Sequence, residues 1–189
     1  MQKWGKFRAD KLSLMGKDCD TVLDIGQSAR HDKIYFENTK YVTLDLDRTI
    51  NPDIVGDICD MHMISDGSYD GIVCCAILEH VYAPWRAVQE LGRITSSGGM
   101  LFGYVPFLYG YHAKLGHYSD YYRYTAEGIE YLFIKEGGFS EIEIVPVRGN
   151  ITTLIHQMPF FRRFQSMFYW SDKFFSDKQV SGYNFFVRK

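Results

Sequence analysis

The 189-residue sequence predicts an α/β fold, in which helices cover both faces of a doubly wound, mainly parallel sheet. Short β-branched, apolar runs alternate with helical patterns along much of the chain. The first, second, fourth and fifth of these runs are apolar on both faces, as buried parallel strands are. With 46% hydrophobic and 23% charged residues, the composition fits a single globular domain over 1–189 and excludes a disordered chain.

Seven segments have the pattern of strands. They are 20–25, 41–46, 53–56, 69–75, 99–106, 141–147 and 181–188. Two helical patterns separate the fourth, fifth and sixth of them, one beginning at Pro84 and the other capped by Thr125. The last two strands break the alternation, because a helical insertion, 149–180, lies between them. One strong helical pattern in this insertion begins just after Pro159.

Charge and cysteine content exclude several classes of protein. Lys and Arg total 21 against 23 Asp and Glu, so no strong overall field is expected. No apolar run approaches the roughly 18–20 residues that span a bilayer, and the N-terminal stretch lacks the apolar core of a secretory signal. The four cysteines have neither a C-x-x-C nor a Cys/His metal spacing. Buried, reduced thiols in a cytoplasmic protein are therefore expected, and no residue is assigned to a metal.

Aromatic residues make up 16% of the chain and are unevenly placed, with nine between 102 and 124 and eleven in 149–189. The segment 149–189 is also basic, with six Lys or Arg against two Asp or Glu. Its helical pattern predicts an apolar face of Phe160, Phe164, Met167, Phe168 and Phe175, and a polar face of Arg162, Gln165, Ser166, Tyr169 and Lys173. Such a helix over 159–175 can lie in a membrane interface. The alternative is packing on its own domain or on a second copy of the chain.

Ligands of an open parallel sheet bind at the carboxyl ends of its strands, so the residues that follow each strand are the candidates. Gly26 follows the first strand and permits close approach of a ligand. Asp45 ends the second strand 21 residues beyond Asp24, where an acidic residue can accept both hydroxyls of a ribose. A turn-forming role is the alternative for Asp45. Asp57 follows the third strand and can accept from an exocyclic amine, beside the apolar wall of Ile58.

The glycine-rich fingerprint of dinucleotide-binding enzymes is absent, because positions 26, 28 and 31 are Gly, Ser and His. This absence disfavours a nicotinamide or flavin enzyme. The order and spacing of the candidate residues instead predict an adenosine ligand without a pyrophosphate.

Six motifs that occur in order carry a family resemblance. They are Val22-Leu-Asp-Ile-Gly, Val42-Thr-Leu-Asp-Leu-Asp, Val55-Gly-Asp-Ile, Ser68-Tyr-Asp-Gly-Ile-Val, Ile77-Leu-Glu-His-Val and Ser97-Gly-Gly-Met-Leu-Phe. Together they resemble the class I S-adenosylmethionine-dependent methyltransferases, specifically the type 11 branch. The segment from Val105 to Thr125 resembles a subgroup linked to polysaccharide or lipid-linked glycan biosynthesis. The resemblance covers about 20–148 and the closing strand, and it implies a seven-stranded sheet whose last strand is antiparallel.

The resemblance implies that S-adenosylmethionine is the cofactor and assigns residues to its parts. Asp24, Gly26 and Ser28 are assigned to the methionine end, and Asp45 and Leu46 to the ribose. Asp57 and Ile58 are assigned to the adenine, and Ala76 and Ile77 to the region of the sulfonium. Ser28 departs from the family, which usually has a second glycine there. At a positive φ a serine costs roughly 1 kcal/mol and crowds the cofactor carboxylate, whereas its hydroxyl could instead donate to that carboxylate.

Transfer of a methyl group to a hydroxyl needs alignment and a base. His80 and His112 are the candidate catalytic bases, because imidazole titrates near neutral pH. For His80 the alternative is a hydrogen bond to backbone. The wall of the acceptor pocket is expected from the loop after the fifth strand, with candidate substrate-binding residues Tyr111, Asp120, Tyr121, Tyr122 and Arg123. The alternative for this loop is a packed lid in which Arg123 pairs with Asp120.

The sequence therefore predicts a methyltransferase that acts on a small molecule, most simply a sugar or glycan hydroxyl. The alternatives are a degenerate protein on the same fold that binds a nucleoside or a partner, and a subunit that activates another enzyme. Nucleic acid is not expected as a partner, because the acceptor loop has only Lys114 and Arg123 as cations. The expected location is the cytoplasm, and a lipid-linked glycan acceptor would place the protein at the inner membrane face.

Overall fold

A computed structural model describes residues 2–28, 31–158, 160–173 and 178–189. Within these ranges seven strands form one sheet in the order β3-β2-β1-β4-β5-β7-β6. They are β1 (Thr21–Ile25), β2 (Lys40–Asp45), β3 (Ile54–Val55), β4 (Tyr69–Cys75), β5 (Thr95–Pro106), β6 (Glu141–Val147) and β7 (Gly182–Arg188). Strands β1 to β5 pair in parallel, and β7 is antiparallel to both β5 and β6. The predicted fold class and the antiparallel last strand are confirmed.

Four α-helices are found in the described ranges. They are α1 (Lys3–Asp18), α2 (Pro84–Ile94), α3 (Ala126–Glu130) and α4 (Asn150–Gln157), and a π-helix, Tyr131–Glu136, continues α3. The predicted helix starts are confirmed, since Pro84 is the first residue of α2 and the Thr125 hydroxyl accepts from the Gly128 amide at 3.1 Å. The sequence patterns do not predict α1 or α4, because the first buries few of its residues and the second contains two threonines.

Helices pack on both faces of the sheet. On one face α1 places Leu12 and Met15 against Val22, Val73 and Phe102 of the strands. On the other face α2, α3 and the π-helix contribute the larger part of the core. All four cysteines are buried and free, as predicted. Because helices cover both faces, the carboxyl ends of the strands, where ligands of such sheets bind, are the place to look for a site.

The insertion 149–180 holds α4 and a 3₁₀ helix, Arg162–Lys173. Pro159 and Phe175, which bound the predicted helical pattern, lie outside the described residues. On the polar face of that pattern Gln165 packs inward, since it accepts from Arg148 Nε at 3.3 Å and lies 2.9 Å from His156 Nδ1, whereas Arg162 and Ser166 are exposed. The apolar face points to solvent. Of this face, Phe160, Phe164, Met167 and Phe168 are exposed. Together with their exposed neighbours Phe161 and Trp170 they are called here the aromatic tail surface.

This exposure disagrees with the alternative in which the apolar face packs on its own domain, whereas packing on a second copy of the chain or contact with a membrane stays a prediction. Within the described ranges, the search for bilayer-spanning segments finds no helix with the required length and apolar character.

Candidate active site

The turns after β1, β2 and β4 meet at one edge of the sheet, as the sequence predicts. The Gly26 amide donates to the Leu44 carbonyl at 2.7 Å, which joins the first turn to the end of β2. The Ala76 amide donates to the Tyr104 carbonyl at 2.8 Å, which joins the end of β4 to β5. The candidate cofactor residues therefore lie along one continuous edge.

The first turn has room for a glycine only. Gly26 has φ +68°, and a Cβ atom at this position would lie 2.3 Å from Ile77 Cδ1 and 3.8 Å from Asp45 Oδ2. The next residue, Gln27, also has a left-handed backbone with φ 48°, so the strained position falls on Gln27 and not on Ser28. The turn thus brings bare backbone beside Asp45 and Ile77, which fits the close approach of an adenosine-bearing cofactor.

Ser28 is engaged within the protein. Its hydroxyl donates to Asp24 Oδ1 at 2.8 Å and accepts from the Cys75 amide at 3.1 Å. The Tyr41 hydroxyl donates to Asp24 Oδ2 at 2.6 Å, and burial together with this bond raises the pKa of Tyr41. Asp24 is fully buried. These bonds fix the Asp24 carboxylate between β1, β2 and β4, so the Ser28 hydroxyl serves the turn itself.

The ribose and adenine candidates differ in exposure. Asp45 Oδ1 accepts from the Asp47 amide at 2.8 Å, and the side chain is half-buried beside the glycine turn. Leu46 is 68% exposed, whereas Ile58 is buried in the main core. Asp57 accepts from the Cys59 amide at 2.8 Å and from the Tyr82 hydroxyl at 3.3 Å. The carboxylates of Asp45 and Asp57 thus face the edge, while Ile58 lies behind it.

A cavity of about 470 Å³ opens next to this edge, at the ends of β4 and β5. It is lined by Trp4, Arg8, Ala76, Glu79, Tyr104, Pro106, Tyr109, His112, Val147, Arg148, His156 and Asn184. Of the predicted cofactor residues Ala76 lines it, and of the predicted catalytic residues His112 does. The cavity combines apolar and aromatic walls with a few convergent polar groups, as small-molecule sites do.

Glu79 is the most unusual side chain of the cavity. It lies in a 3₁₀ turn, Leu78–His80, directly after β4 and is fully buried. Neither carboxylate oxygen has a hydrogen-bond partner. Burial raises the pKa of Glu79 to about 7, because the charged form loses its hydration and the opposing effects of its own backbone amide and of Arg123 are smaller. Sequence reasoning does not single out Glu79, although an acid directly after a buried strand is a signal for it.

His80 and His112 both turn a ring nitrogen toward Glu79. His80 Nε2 lies 3.8 Å and His112 Nε2 lies 3.7 Å from Glu79 Oε1, and the two rings meet edge-on at 4.8 Å. The other nitrogen of each ring meets a carbonyl oxygen: Nδ1 of His80 is 2.6 Å from Ser119 O, and Nδ1 of His112 is 3.0 Å from Gly110 O.

A carbonyl only accepts, so each Nδ1 carries the proton and each neutral imidazole presents a lone pair at Nε2. The alternative of a backbone hydrogen bond thus applies to Nδ1 of His80, while its Nε2 faces Glu79. Burial lowers the pKa of His80, which favours this neutral form. The structure brings the two predicted bases together around a buried acid.

Asp120 and Arg123 hold the acceptor loop together. Arg123 Nη1 donates to Asp120 Oδ1 at 2.5 Å and Nη2 donates to Asp120 Oδ2 at 2.7 Å. Its remaining donors bind the carbonyls of Tyr109, Gly110 and Tyr122. The Arg123 guanidinium holds the pKa of Asp120 well below its usual range. All five donors are used within the loop, so Arg123 is a positioning residue and the packed lid is the arrangement found.

The three tyrosines predicted to bind the acceptor lie away from the cavity wall. Tyr111 is 80% and Tyr121 is 53% exposed, and the Tyr122 hydroxyl donates to the Tyr82 carbonyl at 3.2 Å. The aromatic lining comes instead from Trp4 and from the tyrosines at 104 and 109. Sequence reasoning missed Trp4, because the pattern of α1 does not indicate that this residue contacts β7. The Trp4 carbonyl in fact accepts from Asn184 Nδ2 at 3.1 Å.

Comparisons with known proteins agree with this geometry. Residues 23–103 match the family model of the methyltransferase domain. A stretch of 43 residues is 42% identical to the human thiol S-methyltransferase TMT1B. This stretch makes up 23% of this chain and 18% of that protein. The chain therefore matches less than a fifth of the curated relative's length.

Solved structures resemble the whole chain. An S-adenosylmethionine-dependent methyltransferase of Archaeoglobus fulgidus has a TM-score of 0.66 at 13% identity, over 98% of this chain and 93% of that one. The 1,6-didemethyltoxoflavin-N1-methyltransferase of Burkholderia thailandensis has a TM-score of 0.59 at 13% identity, and the match covers 100% of this chain and 79% of that one. Phosphoethanolamine N-methyltransferase 2 of Haemonchus contortus, solved with S-adenosylmethionine, has a TM-score of 0.59 at 15% identity. That match covers 96% of this chain and 52% of that one. At these identities the likeness establishes the fold.

The matched segment contains the glycine turn, Asp45 and the Leu78–His80 turn, so the family model covers the edge at which the cofactor residues meet. The solved relatives extend the same topology to the last strand. Residues 23–103 therefore match the methyltransferase domain, and the whole chain has the fold of the solved S-adenosylmethionine-dependent methyltransferases.

Proposed function

We propose that this chain is an S-adenosylmethionine-dependent methyltransferase that transfers the methyl group to a hydroxyl of a small-molecule acceptor of the sugar or glycan class. The observation that carries the proposal is the cluster of Glu79, His80 and His112, in which three proton-accepting atoms converge beside the cavity. The cofactor supplies a methyl group on a positively charged sulfur, so the displacement mainly needs alignment. For a hydroxyl acceptor, the chain must also provide a place for the proton.

His112 is the nearer candidate for receiving that proton, because it lines the cavity. If bound S-adenosylmethionine supplies the methyl group, Nε2 of His112 would receive the proton that the acceptor hydroxyl loses. The imidazolium that results keeps its Nδ1 hydrogen bond to Gly110 and lies 3.7 Å from Glu79 Oε1. The buried carboxylate stabilises this positive charge, and His80 packs edge-on behind the ring.

The lining of the cavity supports a sugar-like acceptor. Tyr104, Tyr109 and Trp4 present aromatic surfaces, on which the apolar faces of a sugar ring can stack. His156 and Asn184 add polar groups on the same wall, so hydroxyls have partners within the cavity.

Calorimetry with S-adenosylmethionine and S-adenosylhomocysteine, followed by a methyl-transfer screen, tests the proposal. We expect saturable cofactor binding that Asp45→Ala weakens by roughly 10–100-fold, as for loss of a charged hydrogen bond. The screen should yield a methylated oxygen on a nucleotide sugar or a lipid-linked glycan. No binding at millimolar cofactor, or binding indifferent to Asp45→Ala, would favour the alternative of a degenerate protein that binds a nucleoside or a partner.

The screen should contain amine and thiol acceptors as well. The relatives named above include methyltransferases whose names specify nitrogen and sulfur acceptors. A product methylated on nitrogen or sulfur would overturn the hydroxyl assignment, and the methyltransferase activity itself would stand.

We further propose that the aromatic tail surface contacts an anionic membrane, as access to a lipid-linked acceptor would require. Phe160 is 68% exposed and Met167 is 67% exposed. Arg163 stacks over Phe160 and Phe164, with its guanidinium 5.1 and 4.8 Å from the ring centroids. Apolar side chains interleaved with cations are the pattern of an interfacial helix. Charge supports the choice, because 149–189 is basic while the rest of the chain is acidic.

Flotation with anionic and neutral vesicles tests this contact. We expect binding to anionic vesicles that is lost in Phe164→Ser/Met167→Ser and retained in Ile34→Ser, which removes a side chain that is 73% exposed elsewhere. A homodimer is the competing occupant. It would appear as a dimer in sedimentation that the same double variant dissociates, with no vesicle binding by the parent protein.

A further inference from the structure

Three atoms that carry lone pairs converge beside the cavity. They are Glu79 Oε1, His80 Nε2 and His112 Nε2, and all lie within 4.8 Å of one another. Among the described residues, no other group of three His, Cys, Asp or Glu side chains brings its ligand atoms this close together. Neither oxygen of the buried Glu79 has a hydrogen-bond donor. Lone pairs that face each other without a donor repel, so the arrangement requires a positive charge between them.

The surrounding side chains do not supply that charge. Arg123 acts electrostatically on Glu79, but its five donors are bound to Asp120 and to backbone carbonyls. Arg8, which also lines the cavity, is paired with Asp32. Asp120 lies 3.3 Å from His112 Nδ1 and adds negative charge on the outer side of the ring. The missing charge must therefore come from a proton or from a bound metal ion.

We propose that Glu79, His80 and His112 form a binding site for a divalent first-row transition metal ion, with zinc as the best match to the ligand set. Two imidazoles and one carboxylate are typical of zinc sites that keep a fourth position open. The site lies in the wall of the cavity, because Glu79 and His112 both line it. A fourth ligand of such an ion would come from the cavity, where the acceptor would bind.

The outer contacts of the ligands match those of metal-binding histidines. Such a histidine usually donates its second ring N–H to a carbonyl or a carboxylate, which fixes the tautomer and the ring orientation. Here Nδ1 of His80 donates to Ser119 O and Nδ1 of His112 donates to Gly110 O. Both histidines are thus held with Nε2 available to a metal before any metal arrives. Spacing along the sequence does not reveal this set, because His112 lies in a separate loop after β5.

The role of the ion rests on the proposed function, whereas its binding does not. A metal in this position would hold the acceptor hydroxyl and lower its pKa, so that the proton leaves to water in the cavity as the methyl group is transferred. In the loaded protein both imidazoles are ligands, and the ion replaces His112 as the group that activates the hydroxyl.

Calorimetric titration of zinc into chelator-treated protein tests the site without cofactor or acceptor. We expect one equivalent to bind, and we expect Glu79→Gln and His112→Ala each to weaken binding by at least about 10-fold, since even loss of an outer contact has that effect. Cobalt provides a second readout, because its visible absorption reports coordination by nitrogen ligands and should be lost in the same variants. The matched control is His62→Ala, which removes an exposed histidine paired with Asp60 and should leave the affinity unchanged.

Failure to bind a stoichiometric metal ion would overturn the proposal, and the cluster would then hold a proton. Binding that survives both Glu79→Gln and His112→Ala would overturn it equally, because the ion would lie elsewhere. If Glu79→Gln does not fold, His112→Ala decides alone, since His112 lies in a surface loop. Failure of the methyltransferase activity is scored separately, by cofactor titration.

Discussion

The two sides of the site satisfy their polar groups in opposite ways. On the cofactor side, Asp24 accepts from Ser28 and Tyr41 and is buried with its hydrogen bonds made. On the acceptor side, Glu79 is buried with none. The first arrangement is a finished scaffold that positions a turn. The second holds a carboxylate in a state that costs stability and gains a partner only when a proton or a cation arrives.

Under the proposed function, this difference assigns the chemistry to the acceptor side. A buried polar network that is fully bonded stabilises one geometry, whereas a buried acid without donors is maintained only where its reactivity is used. Changes on the acceptor side should therefore affect turnover, and changes on the cofactor side should affect cofactor affinity or stability.

The largest expected effect is on turnover in Glu79→Gln. The variant removes the charge beside both imidazoles, so we expect turnover at saturating cofactor to fall about 10²–10⁴-fold, the range for loss of acid–base assistance. Cofactor affinity should stay within about threefold. Asp66→Asn, an exposed acid that pairs with Arg93, is the control. Equal losses in turnover and cofactor affinity would remove the distinction between the two sides.

A smaller and complementary effect is expected in Gly26→Ala. The added Cβ would meet Ile77 Cδ1 at 2.3 Å in a left-handed turn, so we expect cofactor affinity to fall by roughly 10–100-fold. The control is Gly110→Ala, because a Cβ there has no neighbour within 4 Å. Calorimetry measures both variants, and an unchanged affinity in Gly26→Ala would show that the cofactor does not approach this turn.

The cost of the unpartnered acid should appear in the pH dependence of stability. Burial raises the pKa of Glu79 from 4.5 to about 7, so folding of the metal-free protein favours the protonated acid. This contribution to the free energy of unfolding is fully present below pH 4.5 and is lost as the pH rises to about 7. The loss is on the order of 3 kcal/mol.

Glu79→Gln should therefore match the parent protein near pH 4 and exceed it in stability near pH 8. Denaturant titrations with a chelator present measure the free energy of unfolding of the two proteins at each pH. A variant that is less stable than the parent near pH 8 would contradict the unpartnered state of Glu79.

The smallest effect is expected in Ser28→Gly. The variant restores the glycine usual in the family but removes bonds to Asp24 and to the Cys75 amide, so we expect a loss of about 1–2 kcal/mol in unfolding free energy. Cofactor affinity should change by less than about threefold. A large gain in affinity would instead show that the serine obstructs the cofactor. Ser68→Gly, which also removes a serine hydrogen bond, is a control far from the edge.

Much of the fold and of the cofactor edge follows from the sequence, because the signals are local. Strands β4 and β6 have the predicted bounds, and Pro84 and Thr125 begin their helices as predicted. Alternation of apolar residues and the chemistry of helix starts act over a few residues, so they are readable without tertiary contacts. Convergence of the strand ends then follows from the parallel sheet.

Only the tertiary structure decided which groups meet across the cavity. Glu79 and His112 come from different segments, and α1 adds Trp4 although its pattern does not predict a helix. The aromatic tail shows the same limit. Its pattern identified an apolar face, but contacts of Gln165 with Arg148 and His156 turn that face to solvent. Periodicity determines which side chains share a face, whereas burial depends on packing between segments distant in sequence.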